Sequence, residues 1–170
     1  MVKKGILLIF SIISLIFAGC SFGIDKEPLP EKKTEFSLMS EKETIELNSD
    51  ISNVNLEPVK IEYGSGDGFK LTNNYYFDIE IKALYSDDNT TSIIKISTKA
   101  SLYETPKGIK VGDDVEKLVN AYKEDLRHPE YVDKEYYVYD PENDIGFNRI
   151  YFYIENDVIN EIIIENGIDG

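Results

Sequence analysis

Gly108-Ile109-Lys110-Val111-Gly112-Asp113-Asp114-Val115-Glu116-Lys117-Leu118-Val119-Asn120-Ala121-Tyr122 carries the clearest helix start in the chain, and a strongly alternating region follows it. Asp113 is placed to cap the helix, with Glu116 three positions later, the aspartate version of a capping box. Val115, Leu118, Val119 and Tyr122 recur at i, i+3, i+4 and i+7, one apolar stripe that predicts a buried helix face. Asp114 and Glu116 suit the positive end of the helix dipole. The helix is predicted to fray near Leu126 and to end by Pro129, because proline cannot continue it. Gly112 and Asp113 read as a turn and a cap rather than as a ligand loop.

Downstream, three segments alternate with period two, as half-buried strands do. They are Glu135–Tyr139, Phe147–Glu155 and Val158–Glu165, separated by turns at residues 140–146 and 155–157. Ile150, Phe152, Ile154, Ile162 and Ile164 are expected to face the helix. The opposite face is expected to carry Tyr137, Tyr139, Arg149, Tyr151 and Tyr153, with Glu161, Ile163 and Glu165 beside them. Tyrosine and arginine are enriched where proteins bind proteins, so these five residues are the candidate protein-binding face. The plainer alternative is that cross-strand tyrosine pairs stabilise the sheet.

Upstream, Thr44–Leu47 and Val59–Tyr63 read as short strands. Residues 49–56 read as a weak helix capped by Ser49 or Asp50 and ended by Pro58. Gly64, Gly66 and Gly68 form a flexible hairpin connection, since the Gly-Lys-Ser/Thr ending and helix of a phosphate loop are missing. Tyr75–Tyr85 alternates over eleven residues and predicts one long strand, and Thr91–Thr98 returns with Ile94 and Ile96 on one face. The halves superpose on paper, Leu47–Val54 on Val111–Leu118 and Asp88–Ile93 on Asp157–Ile162. The expected fold class is therefore α+β. Short helices pack on one face of an antiparallel β-sheet, in two degenerate tandem α–β repeats over residues 44–104 and 105–170 of a single domain spanning 43–170.

The second half resembles a lipoprotein pattern through Gly108, Ile109, Val111, Gly112, Asp113, Val115, Leu118, Tyr122, Ile162 and Ile164. The pattern is similar to the β-lactamase-inhibitor-protein-like fold, shared with small outer-membrane assembly lipoproteins. The resemblance covers about residues 105–167 and implies short helices on one sheet face, and a role in binding proteins rather than in catalysis. The family follows its tyrosine with Gly and Pro, where this chain has Lys123, Glu124 and Asp125. No binding residue of the family carries over.

At the N-terminus, Met1–Lys4 is basic, Gly5–Phe17 is apolar and Phe17-Ala18-Gly19-Cys20 closes with small residues. That is the layout of an export signal. The last four residues resemble the lipobox of bacterial lipoproteins, which implies a signal peptide over 1–19 and a diacylglyceryl group on Cys20. The apolar run is too short to span a bilayer as a helix. Two acyl chains hold a protein stably, so Cys20 is expected to anchor it to the extracytoplasmic side of the cell membrane, with acyl chains such as palmitate in the bilayer. Residues 20–42 carry Pro28, Pro30 and many charges, and are expected to form a flexible tether. An alternative has Phe36, Leu38 and Met39 dock on the domain as an edge strand.

The formal net charge of −14 repels phosphate backbones, so nucleic acid is excluded as a partner. Cys20 is the sole cysteine, so no intrachain disulfide exists. His128 is the one histidine, follows the helix, and has no nameable nucleophile beside it. One histidine and one lipidated cysteine do not make a zinc site. Asp140, Glu142, Asn143 and Asp144 are rich in oxygen, but an EF-hand loop counted from Asp140 would need Gly and Glu where Ile145 and Tyr151 stand. No cofactor is expected. The sequence thus points to a non-catalytic protein-binding or scaffold lipoprotein of the cell envelope. The alternatives are a cell-wall-active enzyme using unidentified carboxylates and a small solute- or ion-binding lipoprotein.

Overall fold

A computed structural model describes residues 35–66, 69–86, 90–129, 135–141 and 147–167. Ten strands and one α-helix are formed there: β1 (Ser37–Met39), β2 (Thr44–Glu46), β3 (Lys60–Gly66), β4 (Phe69–Tyr75), β5 (Ile79–Tyr85), β6 (Thr91–Thr98), α1 (Val115–Tyr122), β7 (Leu126–Arg127), β8 (Tyr136–Tyr139), β9 (Asn148–Glu155) and β10 (Val158–Asn166). β1 and β2 make a small antiparallel pair. The other eight form one antiparallel sheet in the order β3-β4-β5-β6-β10-β9-β8-β7. Each half of the chain supplies four consecutive strands, and the halves meet where β6 pairs with β10.

The α+β expectation is overturned. The structure is mostly β, with one helix of eight residues and two single turns of 3₁₀ helix. What the halves share is a four-strand meander, not an α–β unit. The expected helix at residues 49–56 is only a 3₁₀ turn, Ile51–Asn53. Asp50 accepts a hydrogen bond from the Ser52 N–H and Val54 closes the turn by donating to the Ile51 carbonyl. Asn48, at φ 65°, enters this segment and Pro58 leaves it, so too little chain remains to repay helix nucleation. The tandem α–β repeat expected from superposing the halves is accordingly not what this chain builds.

The core lies on one face of the large sheet, called here the inner face. Ile79 and Ile81 of β5, Ile93 and Ile96 of β6, Ile150, Phe152 and Ile154 of β9, and Ile159, Ile162 and Ile164 of β10 all pack there. β-branched side chains suit a pleated, half-buried surface, and isoleucine fills most of these positions. The inner face is covered by Leu38, Ile45 and Leu47 from the β1–β2 pair, by Tyr103 and Ile109 from the loop before α1, and by Leu118 and Tyr122 of α1 itself. Residues 35–42, expected in the tether, therefore belong to the folded body: Met39 and Glu104 exchange backbone hydrogen bonds of 2.8 Å, and Leu38 is fully buried.

Three local readings change for identifiable reasons. The eleven-residue alternation of Tyr75–Tyr85 is two strands, because the Tyr76 N–H donates to the Ile79 carbonyl and turns the chain at Phe77 and Asp78. Alternation runs through this turn without glycine or proline to mark it. In β6, Ile93 and Ile96 are buried rather than Ile94 and Ile96, because the register with β5 shifts between Lys82 and Ala83 and leaves Ile94 as the extra residue of a bulge. The helix cap is Asp114, whose Oδ1 accepts from the Lys117 N–H at 2.7 Å. Asp113 instead ties the preceding turn, accepting from the Lys110 N–H at 2.9 Å and from Lys117 Nζ at 2.8 Å. That turn needs Gly108 at φ 74° and Gly112 at φ 92°, both left-handed. The buried side of α1 is centred on Leu118 and Tyr122, so Val119, about 100° away from Leu118, is exposed. The α-helix stops at Tyr122, and the second 3₁₀ turn, Lys123–Asp125, carries the chain on to Leu126, where the helix is expected to fray. Lys123 takes φ 48° and opens the second 3₁₀ turn.

Candidate functional site

The outer face of the sheet is free of covering elements among the described residues, and its chemistry changes along the strand order. Across β5, β6 and β10 it is a field of opposed charges. Lys95 pairs with Glu165 at 3.0 Å and Lys99 with Glu161 at 3.6 Å. Across β9, β8 and β7 it becomes aromatic and cationic.

Register decides which tyrosines belong there. Tyr136 pairs with Tyr153, Tyr137 with Phe152, Val138 with Tyr151 and Tyr139 with Ile150. Directly opposed residues in an antiparallel pair share a face. Tyr151, Tyr153 and Arg149 are therefore on the outer face, as expected, whereas Tyr137 and Tyr139 are on the inner one. Tyr139 is 2% exposed and sits in the core, its ring 4.7 Å from Tyr122 and 6.1 Å from Phe36. The Lys107 ammonium lies 4.5 Å from the centroids of both Tyr122 and Tyr139, and also pairs with Glu35 at 3.5 Å. Burial pushes both phenols well above their usual range. The outer-face residues that sequence reasoning missed are Tyr136, Val138 and Arg127. Residues 136–139 read Tyr-Tyr-Val-Tyr, with tyrosines on both faces, so the pattern had no unique phase.

The outer aromatic cluster is compact. Tyr136 stands between Tyr153 at 5.5 Å and Tyr151 at 5.9 Å, all tilted, as aromatic pairs prefer. Next to it Arg127 Nη1 and Arg149 Nε both approach Asp140 Oδ2 at 3.5 Å. The Tyr151 side chain, then the Asp140 carboxylate, hold the Arg149 guanidinium above its usual range against the opposing effect of partial burial. His128 follows Arg127, and its ring rests 4.8 Å from Tyr137. Arg127, Arg149, Asp140, Tyr136 and Tyr151 line a shallow groove of about 430 Å³. The chain's two arginines thus converge on one aromatic patch of a protein whose net charge is −14. Each guanidinium has five N–H donors, more than one shared carboxylate oxygen takes up. The arrangement can stack planar groups and donate hydrogen bonds to acceptors.

Among the described residues no group of three or more His, Cys, Asp or Glu could hold a metal ion. Asp140 faces arginines, while residues 142–144 of the oxygen-rich turn, like Cys20 and the export signal, lie outside the described residues. No helix among the described residues is long and apolar enough to cross a membrane. Against protein-family models, curated proteins and solved structures, the chain has no match.

Proposed function

We propose that this protein is an exported, lipid-anchored module of the cell envelope that binds another protein, without catalysis, through the outer face of β7, β8 and β9. The observation that carries the binding reading is the convergence of Arg127, Arg149, Tyr136 and Tyr151 on one groove. Tyrosine and arginine are enriched among the residues that dominate protein-interface energy, because each offers a large flat surface together with hydrogen-bonding groups. The ion-paired face beside it, with Lys95–Glu165 and Lys99–Glu161, forms the polar rim such a patch has. The anchor rests on Phe17-Ala18-Gly19-Cys20 after an apolar run and two lysines. The non-catalytic reading rests on the sequence, which offers one histidine and no nucleophile–base pair.

The test is affinity capture from solubilised envelope with the wild-type chain and with Tyr136→Ala/Tyr151→Ala, both positions lying off the core face. A partner retained by the wild type and lost by the double variant is expected. Identical recovery by two folded proteins removes the outer face from consideration. A palmitate-analogue label that is absent from the wild type, and so no stronger than in Cys20→Ala, removes the anchor.

A further inference from the structure

β3 lies at one end of the eight-stranded sheet. β4 occupies one of its sides, and among the described residues nothing pairs with the other. The ladder to β4 runs without a register shift from Lys60↔Tyr75 to Gly66↔Phe69, so the free edge is long and regular. Proteins that keep such edges from pairing use proline, bulges or charges pointing inward. Here the positions on the inner-face side are Val59, Ile61 and Tyr63, which are 56%, 40% and 81% exposed. The equivalent positions on β5 and β6 are buried.

The stretch Val59-Lys60-Ile61-Glu62-Tyr63 is also self-complementary. Laid antiparallel on a second copy about Ile61, it sets Ile61 opposite Ile61, Val59 opposite Tyr63, and Lys60 opposite Glu62 twice. Apolar side chains then meet on one face and opposite charges on the other, the two kinds of cross-strand pair that stabilise a sheet. Neighbouring registers fail: centring on Lys60 or Glu62 sets like charges opposite each other, and a half-residue shift sets Ile61 against a charge. In the single copy Lys60 pairs with Glu62 along the same strand, and the Tyr75 hydroxyl donates to Glu62 at 2.9 Å, so the charges already stand on the face the second copy would use.

We propose that the free edge of β3 is a self-association surface, on which two copies of this chain pair antiparallel about Ile61 and join their sheets edge to edge. The occupant is a second copy because charge and apolar positions match in one register only. This surface is at the opposite end of the sheet from the tyrosine–arginine groove and leaves that groove open in both copies.

The test is sedimentation of the full chain in a non-ionic detergent, over a concentration series, with far-UV circular dichroism to verify that each exposed-site variant is folded. The wild type is expected to dimerise. Lys60→Glu and Glu62→Lys each place like charges opposite one another at two symmetric sites, and each is expected to weaken the dimer about tenfold or more. Lys60→Glu/Glu62→Lys restores both pairs, and an equimolar mixture of the two single variants forms mixed dimers. Ile61→Lys is expected to abolish association. A wild type that stays monomeric through the micromolar range overturns the proposal. So does a dimer indifferent to both single exchanges, or a folded double exchange that fails to recover.

Discussion

Replacing Tyr139 by alanine separates the two faces of β8 by energy. The ring is 2% exposed, packs on Tyr122 at 4.7 Å and lies under Lys107 at 4.5 Å. Deleting a buried aromatic side chain costs ~3–5 kcal/mol through lost transfer energy and the cavity left behind. Loss of the cation–π contact adds about 1 kcal/mol, since Lys107 is partly shielded from water. A loss of ~4–6 kcal/mol is expected, a large share of the ~5–15 kcal/mol that holds a domain of this size. Tyr151→Ala, on the outer face with its ring 5.9 Å from Tyr136, is expected to cost no more than about 1 kcal/mol, the worth of a cross-strand pair. Urea unfolding followed by far-UV circular dichroism measures both, with the denaturant slope unchanged if the transition stays two-state. Equal costs for the two variants, or a cost for Tyr139→Ala below ~2 kcal/mol, would refute the register that puts Tyr139 in the core.

Two further perturbations address the turns. Lys123 adopts φ 48° and ψ −121°, a region almost reserved for glycine, so Lys123→Gly is expected to stabilise the protein by about 1 kcal/mol, read as a higher urea midpoint; a lower midpoint refutes the strained geometry. Asp50 is drawn from the usual 3.8 to about 2, first by the Thr91 hydroxyl and then by the Ser52 backbone N–H. A depressed carboxyl stabilises the fold above its unfolded value and loses that contribution as pH falls through the folded one. Asp50→Asn is therefore expected to lower Tm at neutral pH, with the difference from wild type closing between about pH 4 and pH 2. A difference that does not change with pH would show that the carboxylate charge plays no part.

Much of the inner face is legible in the sequence. Ile150, Phe152 and Ile154 alternate with arginine, tyrosine and glutamate, which gives that strand one phase; Ile162 and Ile164, with Ile163 between them, are tied to the same face by their pairing with Phe152 and Ile150. The helix was legible for the same reason, and its cap was misplaced by one residue because Asp113 and Asp114 are chemically identical neighbours. Only the Lys117 N–H, 2.7 Å from Asp114, distinguishes them. The hairpin at Phe77 was invisible because its turn is made by a backbone hydrogen bond, with no glycine, proline or asparagine to announce it. The bulge at Ile94 was hidden for a related reason: one added residue inverts the face of everything beyond it while local composition stays the same.

The candidate site marks the same boundary. Composition alone showed an acidic chain rich in tyrosine, with two arginines and one histidine, and periodicity alone put Arg149, Tyr151 and Tyr153 on a common face. Whether Tyr137 and Tyr139 joined them depended on the β8–β9 register, because a strand with tyrosines in both phases is compatible with either face. The hydrogen-bonded register between the consecutive strands β8 and β9 resolved it, placing Tyr139 in the core and Tyr136 at the centre of the outer cluster. Local pattern therefore determined which segments are strands and which residues seek burial, since both follow from side-chain chemistry within a few positions. Only the strand ladder decided which tyrosines meet the arginines and which strand is left with an open edge, since both depend on how strands pair and not on the side chains within any one strand.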